Sequence, residues 1–318
     1  MLTSMLREIR SNGARWLSDA ATCSPFYRSW LSKAVVVFLY HDVSDRPSLF
    51  SRQFDLNVSP SLFSRQLDWI AQSFHVIDPI QLVAGDYKTP AALITFDDGN
   101  RSFFTTAVPV LKRKGLPSLC FINAGPMHGG VCWSGLVTYL QHHEPGFFQK
   151  RDPRPTKRDY TRFLESEVIQ YLNSVDQENL LDRVRRFRGE IATVQDLSET
   201  AANRFVFLGN HLYNHYNATL LGGRLVTEFR KNQEVVDQFP RGVRMVSYPF
   251  SCHSDEANRL LLKEGVQRLF TGFGIPNFEP GQTLLCRFEI NSQIRSPQQM
   301  KSALWRNYWT QRFRGSFS

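Results

Sequence analysis

The chain alternates short, wholly apolar runs with segments whose apolar residues return every three or four positions. Val35-Val36-Val37-Phe38-Leu39 is apolar and β-branched, which predicts a strand buried on both faces. Ser59-Pro60 reads as an N-cap followed by proline at the first helical position. Phe63, Leu67 and Ile70 then recur at helical spacing. Phe74-His75-Val76-Ile77 and the run from Ala91 to Phe96 predict the next two strands. Phe103, Ala107 and Leu111 give a helix face that Gly115 closes, with Pro109 kinking the helix or marking its first turn. Leu119-Cys120-Phe121-Ile122 is a further strand. This repetition of strand, helix and strand predicts a parallel α/β sheet.

The rhythm breaks between residues 133 and 203. Tyr160, Leu164, Val168, Tyr171 and Val175 predict one helix there, and Leu180, Val184 and Phe187 a second. Arg183, Arg185, Arg186 and Arg188 crowd the end of the second. That cluster fits the C-terminal pole of a helix dipole, or a basic patch that steers an anionic substrate. Strands resume at Phe205 to Leu208, Met245 to Tyr248, Leu269-Phe270 and Leu285 to Ile290. Between them run a helix through Leu225, Phe229 and Val236, and another capped by Ser254.

Two strand ends carry chemistry. Thr95-Phe96-Asp97-Asp98-Gly99 closes one, and His211-Leu212-Tyr213-Asn214-His215 follows another. On a helical turn the i, i+4 spacing puts both imidazoles on one face. Two imidazoles and a carboxylate make a three-ligand divalent-metal site with open positions. An adjacent carboxylate is then free to take a proton from the water such a site activates. Taken singly, Asp-Asp-Gly is a common loop opening and a His pair a common feature of helices. A third segment, Ser247-Tyr248-Pro249-Phe250-Ser251, follows them in order.

Together the three segments resemble the polysaccharide deacetylase (NodB-like, carbohydrate esterase family 4) pattern. That pattern has a T-F-D-D-G strand end, an H-[ST]-x-x-H segment and an R-x-P-Y-G segment. The resemblance runs from about Val35 to Ile290. It implies a distorted (β/α) barrel with a helical insertion, about 133–203, over the barrel mouth. It also implies metal-dependent removal of an N-acetyl group from an amino sugar in a glycan or glycoconjugate, a lipid-linked intermediate included. By position, Asp97 would be the base, and Asp98, His211 and His215 the metal ligands. The backbone N–H of Phe250 would help to bind the oxyanion. The expected cofactor is a divalent metal, with zinc the first choice for an Asp/His/His set and cobalt, manganese or iron left open.

The chain departs from the pattern in four places. Leu212 replaces the Ser/Thr after the first His, and Asn100 stands where an aromatic is common. Ser247 stands where the family often has the Arg that holds the catalytic carboxylate. A late L-x-H segment, which supplies the general acid in many members, is missing. Arg287, in Cys286-Arg287-Phe288-Glu289, is therefore expected to supply the missing charge to Asp97 from another strand. His41, in Tyr40-His41-Asp42-Val43, and His253 are the candidate general acids. The altered surroundings of Asp97 also fit a catalytically weak or inactive carbohydrate-binding pseudoenzyme. Fold resemblance leaves an amidohydrolase acting on a non-sugar amide open as well.

Composition adds bounds. A chain of 318 residues, 42% hydrophobic, suffices for one large core or a barrel with an insertion. The net charge of +9 favours anionic partners such as an acidic glycan, a phosphate-bearing lipid, a membrane surface or nucleic acid. The Lys and Arg are scattered and no nucleic-acid motif is visible, so no specific nucleic acid is expected. The organisation reads as a basic amphipathic leader over 1–32, a barrel over 33–300 and an aromatic and basic tail over 301–318. The leader sets Leu6, Ile9 and Trp16 against Arg7, Arg10 and Arg15, which suits either a membrane surface or a seat on the domain. The tail's Trp305, Tyr308, Trp309 and Phe313 lie among Arg306, Arg312 and Arg314 and suit an interface or a frayed end. Five scattered cysteines with no C-x-x-C pair predict neither a disulfide framework nor a structural zinc site, and point to a reducing compartment. With no signal-peptide pattern and no membrane-spanning run, a cytoplasmic location is expected, peripheral to the membrane if the leader binds there. The oligomeric state is left open.

Overall fold

The structure, a computed structural model, describes residues 21–144 and 165–315. The first twenty residues of the leader, Tyr160 and Leu164 of the insertion, and residues 316–318 of the tail lie outside the described residues.

Among the described residues ten strands follow in chain order: β1 (Val35–Tyr40), β2 (Asp42–Val43), β3 (Asn57–Val58), β4 (His75–Val76), β5 (Ala91–Phe96), β6 (Ser118–Ile122), β7 (Val206–Asn210), β8 (Gly242–Ser247), β9 (Arg268–Gly272) and β10 (Leu284–Glu289). β1 pairs in parallel with both β5 and β10, so β1, β5, β6, β7, β8, β9 and β10 close into a barrel of seven parallel strands. β4 adds to the first residues of β5, and β2 and β3 form a separate parallel pair beside the mouth.

Closure explains why the strands read as continuous apolar runs: one face fills the barrel and the other carries the helices. Val35, Val37, Leu93, Leu119, Phe121, Phe207, Met245, Phe270 and Leu285 pack inside. Phe38, Tyr40, Ile94, Phe96, Cys120, Ile122 and Leu208 face outward, into the layer that contains Phe63, Leu67 and Ile70 of the helix Pro60–Ser73. Side chains alternate with a period of two, so the inward set continues to the C-terminal rim as Asp97, His211, Ser247 and Arg287. The apolar filling below and the polar rim above are one register.

The predicted caps are present. Ser59 Oγ accepts from the N–H of Leu62 at 3.3 Å, and Ser254 Oγ from that of Ala257 at 3.1 Å. A π-helical turn over Phe103–Ala107 runs without a break into the helix Val108–Lys114, so Pro109 sits inside a continuous helical run, and the π turn just before it is where the ladder loosens to admit a residue with no N–H.

The insertion between β6 and β7 holds the helices Trp133–His143, Glu165–Leu172, Gln177–Arg188 and Val194–Thr200. Its core joins Leu136, Val137 and Leu140 to Val168, Leu180 and Val184. The four arginines do not act as one patch. Arg183 donates to Tyr139 and Glu144, Arg185 pairs with Asp182, Arg186 is exposed, and Arg188 turns into the protein.

The last helix, Pro297–Gly315, spans the boundary placed at residue 300, so its first turns belong to the barrel's packing. Trp30, in the helix Pro25–Leu31, meets Trp305 and Tyr308 with ring centroids 5.2 Å apart in each case. The described end of the leader therefore sits on the domain. Among the described residues, no helix is long and apolar enough to cross a membrane.

Candidate active site

The site lies at the C-terminal rim of the barrel, where the inward registers of β5, β7, β8 and β10 converge. Asp97 and Asp98 follow β5 directly. Asp98 takes a left-handed backbone (φ 74°) and so does Gly99 (φ 62°), which turns the chain sharply enough to aim both carboxylates into the mouth.

Asp97 is held by three donors. The Arg287 guanidinium grips it in parallel, Nη1 to Oδ1 at 2.7 Å and Nη2 to Oδ2 at 2.6 Å, and Ser247 Oγ donates to Oδ2 at 3.1 Å. Both partners of the ion pair are buried, Arg287 at 1% and Asp97 at 4% exposure. Burial pushes the carboxyl up. The Arg287 charge, with His211 and His41 behind it, outweighs that and holds Asp97 below the ordinary carboxylate range. Ser247 stands at the position of the family Arg but contributes a hydroxyl, while the charge arrives from β10.

Asp98 faces two imidazoles. Its Oδ1 lies 3.1 Å from His215 Nε2 and 3.4 Å from His211 Nε2. His211 Nδ1 lies 2.8 Å from the Ser247 carbonyl, a contact that requires the proton on Nδ1. In the neutral ring the Nε2 lone pair then points at the carboxylate. Burial pushes His215 down toward its neutral form; at His211 the Asp97 and Asp98 charges outweigh burial and hold it up. One atom from each of Asp98, His211 and His215 lies within 4.8 Å of the others, and all three residues are buried. With both rings neutral and their protons on Nδ1, the cluster offers three acceptor atoms to one point, which fits a divalent cation, and the carboxylate and imidazole donors suit zinc and its neighbours.

The helical placement of the His pair is corrected. Residues 211 to 217 form an irregular loop, with Leu212 (φ 60°) and His215 (φ 63°) both left-handed. Those two reversals break a helix and still bring the rings together, 4.8 Å apart and steeply inclined. Leu212 is fully buried among Leu221, Leu225 and Phe229, so an apolar side chain anchors the loop where a hydroxyl was expected.

A set of asparagines that the sequence reading passed over fixes the strand ends. Asn123 Nδ2 donates to the carbonyls of His211 (2.5 Å) and Leu212 (2.8 Å). Asn232 Oδ1 accepts from the Ala124 N–H at 2.7 Å, and its Nδ2 donates to the Ile122 carbonyl (2.7 Å) and Asn210 Oδ1 (2.9 Å). Asn210 Oδ1 also accepts from the Leu212 N–H at 2.9 Å. The available signal was an amide at the end of each of two apolar runs, Asn123 directly after β6 and Asn210 as the last residue of β7.

A cleft of about 1310 Å³ opens above these groups. It is lined by Asp97, Asp98, His211, His215, Arg287 and Phe250, with His41 on its wall and Asn307 and Gln311 of the last helix at its edge. Phe250 is left-handed (φ 58°), and its ring meets His215 at 4.7 Å. His41 Nδ1 lies 3.9 Å from Glu289 Oε1. His253 does not line the cleft; its ring packs by Tyr248 and Phe273. Arg287, already paired with Asp97, is the one Lys or Arg among the described residues lining the cleft, so the chain's positive charge does not extend into it.

No protein-family model matches the chain, and no curated protein matches it in sequence. Its fold, however, is the NodB-like (β/α) barrel seen in solved polysaccharide deacetylases. The Streptococcus pyogenes deacetylase PplD, solved in complex with acetate, superposes with a TM-score of 0.60 at 14% identity, over 85% of this chain and 98% of that one. IcaB from Ammonifex degensii gives 0.57 at 20% identity, over 86% and 97%. A de-N-acetylase from Aggregatibacter actinomycetemcomitans gives 0.54 at 16%, over 81% and 95%.

Proposed function

We propose that the protein is a metal-dependent deacetylase that hydrolyses the N-acetyl group of an amino sugar in a glycan. The observation that carries this reading is the pairing of a buried Asp98/His211/His215 acceptor cluster with a second carboxylate, Asp97, in the floor of one open cleft. The deacetylase and de-N-acetylase activities in the names of structures sharing the fold support it.

Asp98, His211 and His215 would hold the cation. When bound, it supplies a lowered pKa for water and a polarised amide carbonyl. Asp97 takes the proton of the attacking water as the water oxygen bonds to the carbonyl carbon. Its low pKa keeps it ionised but makes it a weak base, so it depends on water of raised acidity. The Phe250 N–H supports the oxyanion; one such donor is typically worth about 3 kcal/mol of barrier. His41, on the cleft wall, is assigned the proton transfer to the amide nitrogen. The C–N bond then breaks, releasing acetate and the free amine.

The test is acetate release from N-acetylated amino-sugar oligosaccharides, with His41→Gln alongside wild type. Release that falls at least tenfold in the variant, with KM little changed, supports His41 as the acid. Undiminished release moves that role elsewhere.

A further inference from the structure

Asp98 has two carboxylate oxygens, and they have different partners. Oδ1 faces the two histidines. Oδ2 accepts from Arg188 Nη2 at 2.8 Å. Arg188 is the last residue of the helix Gln177–Arg188 and is 3% exposed, although it belongs to the insertion and stands ninety positions from Asp98. Its other terminal nitrogen, Nη1, donates to Asn100 Oδ1 at 2.8 Å. Asn100 Nδ2 in turn donates to the His41 carbonyl at 3.0 Å. The guanidinium also lies over the Phe50 ring, 4.6 Å from its centroid. One planar cation thus joins the insertion, the Asp-Asp-Gly turn and the end of β1.

The surroundings are shaped for this side chain. A Cβ added at Gly135, in the helix Trp133–His143, would lie 2.8 Å from Arg188 Cβ and Cγ and 2.9 Å from Cδ. Glycine at that position lets the arginine stem pass between the two helices. Asn100, which departs from the aromatic common in the resembling family, is the amide that receives the second half of the fork.

We propose that Arg188 is a positioning residue for the cation site: it pins Oδ2 of Asp98, so that the carboxylate offers the site Oδ1 alone. The inference rests on the metal reading above. A buried carboxylate with both oxygens free can rotate or offer both to a cation; one bonded to a fixed guanidinium fork cannot. Arg188 does not itself line the cleft and does not bond Asp97; it reaches the site through its hydrogen bond to Asp98, with its back against the cleft-lining Phe50.

The experiment loads the full chain with Co²⁺, whose visible absorption reports the number and arrangement of its ligands, and measures kcat and KM on the same samples. Arg188→Ala removes the fork, Arg188→Lys restores the charge with a single donor group, and Gly135→Ala pushes on the arginine stem while every charge stays. The expected result is a changed Co²⁺ band in Arg188→Ala and Gly135→Ala. With it, kcat falls roughly 10- to 100-fold and KM is little altered. Arg188→Lys should lie between these variants and wild type. A wild-type band and wild-type kcat in Arg188→Ala would overturn the proposal. If that variant does not fold, the same outcome in Gly135→Ala overturns it. Failure of the wild type to bind Co²⁺ would overturn both this inference and the metal site. Binding without acetate release would overturn the reaction alone, and the Co²⁺ band would still decide the role of Arg188.

Discussion

The residue that concentrates the chemistry is Asp97, and its state depends on Arg287. A buried ion pair stabilises little in itself, but removing one partner strands the other. Arg287→Ala is expected to destabilise the fold by about 3–5 kcal/mol in urea titrations. It should also move the acid limb of the rate profile. A base works above its pKa, and Asp97 is held low by Arg287 against its own burial. Without the guanidinium, burial raises the carboxyl, so activity should begin to fail at a higher pH than in wild type. An acid limb that stays in place would show that Arg287 does not set the charge of Asp97. Linkage follows the same sign. Asp97 and Asp98 both titrate below the ordinary carboxylate value. The stability they contribute is complete above that value, about 3.9, and is lost as pH falls through their lowered ones.

At the scale of elements, the site is an assembly of strand ends held by amides. Asn232, on the helix Arg224–Asp237, bonds the Ile122 carbonyl at the end of β6, the Ala124 N–H just beyond it and Asn210 at the end of β7. Asn232→Leu leaves the Ala124 N–H unpaired and removes one of two donors from both the Ile122 carbonyl and Asn210 Oδ1, which keep the N–H groups of His211 and Leu212. A loss of about 2–4 kcal/mol is expected, with weaker metal binding because Asn210 and Asn123 support the His loop. Thermal denaturation with and without zinc measures both effects; unchanged stability would mean that solvent or a neighbouring group replaces the amide. The barrel strands were legible, because continuous apolar runs after helical periods leave little choice, whereas the two-residue strands Asp42–Val43 and Asn57–Val58 are too short to leave a pattern. The acid pair was legible only jointly: Asp-Asp-Gly alone is a common loop opening, and the His pair and the Ser247–Ser251 segment following it in order singled it out. The His loop was misread because spacing of four is helical only where the backbone stays right-handed, and two left-handed residues intervene. Arg188 was seen only as one of four clustered arginines. Its contact with Asp98 is made across the insertion, and no local pattern records such a pairing.

For the whole molecule, two quantities should separate the cleft from the surface. The chain carries +9, yet the described cleft lining holds no Lys or Arg apart from the paired Arg287. Turnover of a neutral N-acetylated oligosaccharide should therefore depend weakly on ionic strength; a steep loss with salt would place the basic surface in the substrate path. Cation binding should stabilise the entire fold, because the ligands come from two distant strand ends. At a free zinc concentration 100 times its Kd the gain is about 2.7 kcal/mol, and His211→Ala should abolish it. An equal rise in Tm in that variant would locate the zinc elsewhere.

The most direct test of the central claim is acetate release from a panel of N-acetylated amino-sugar oligosaccharides, by metal-loaded wild type and Asp97→Asn side by side. The account predicts release by wild type and its loss in the variant, which keeps the shape of the side chain but cannot take a proton. Release that survives in Asp97→Asn, or no release by metal-loaded wild type from any member of the panel, would contradict it.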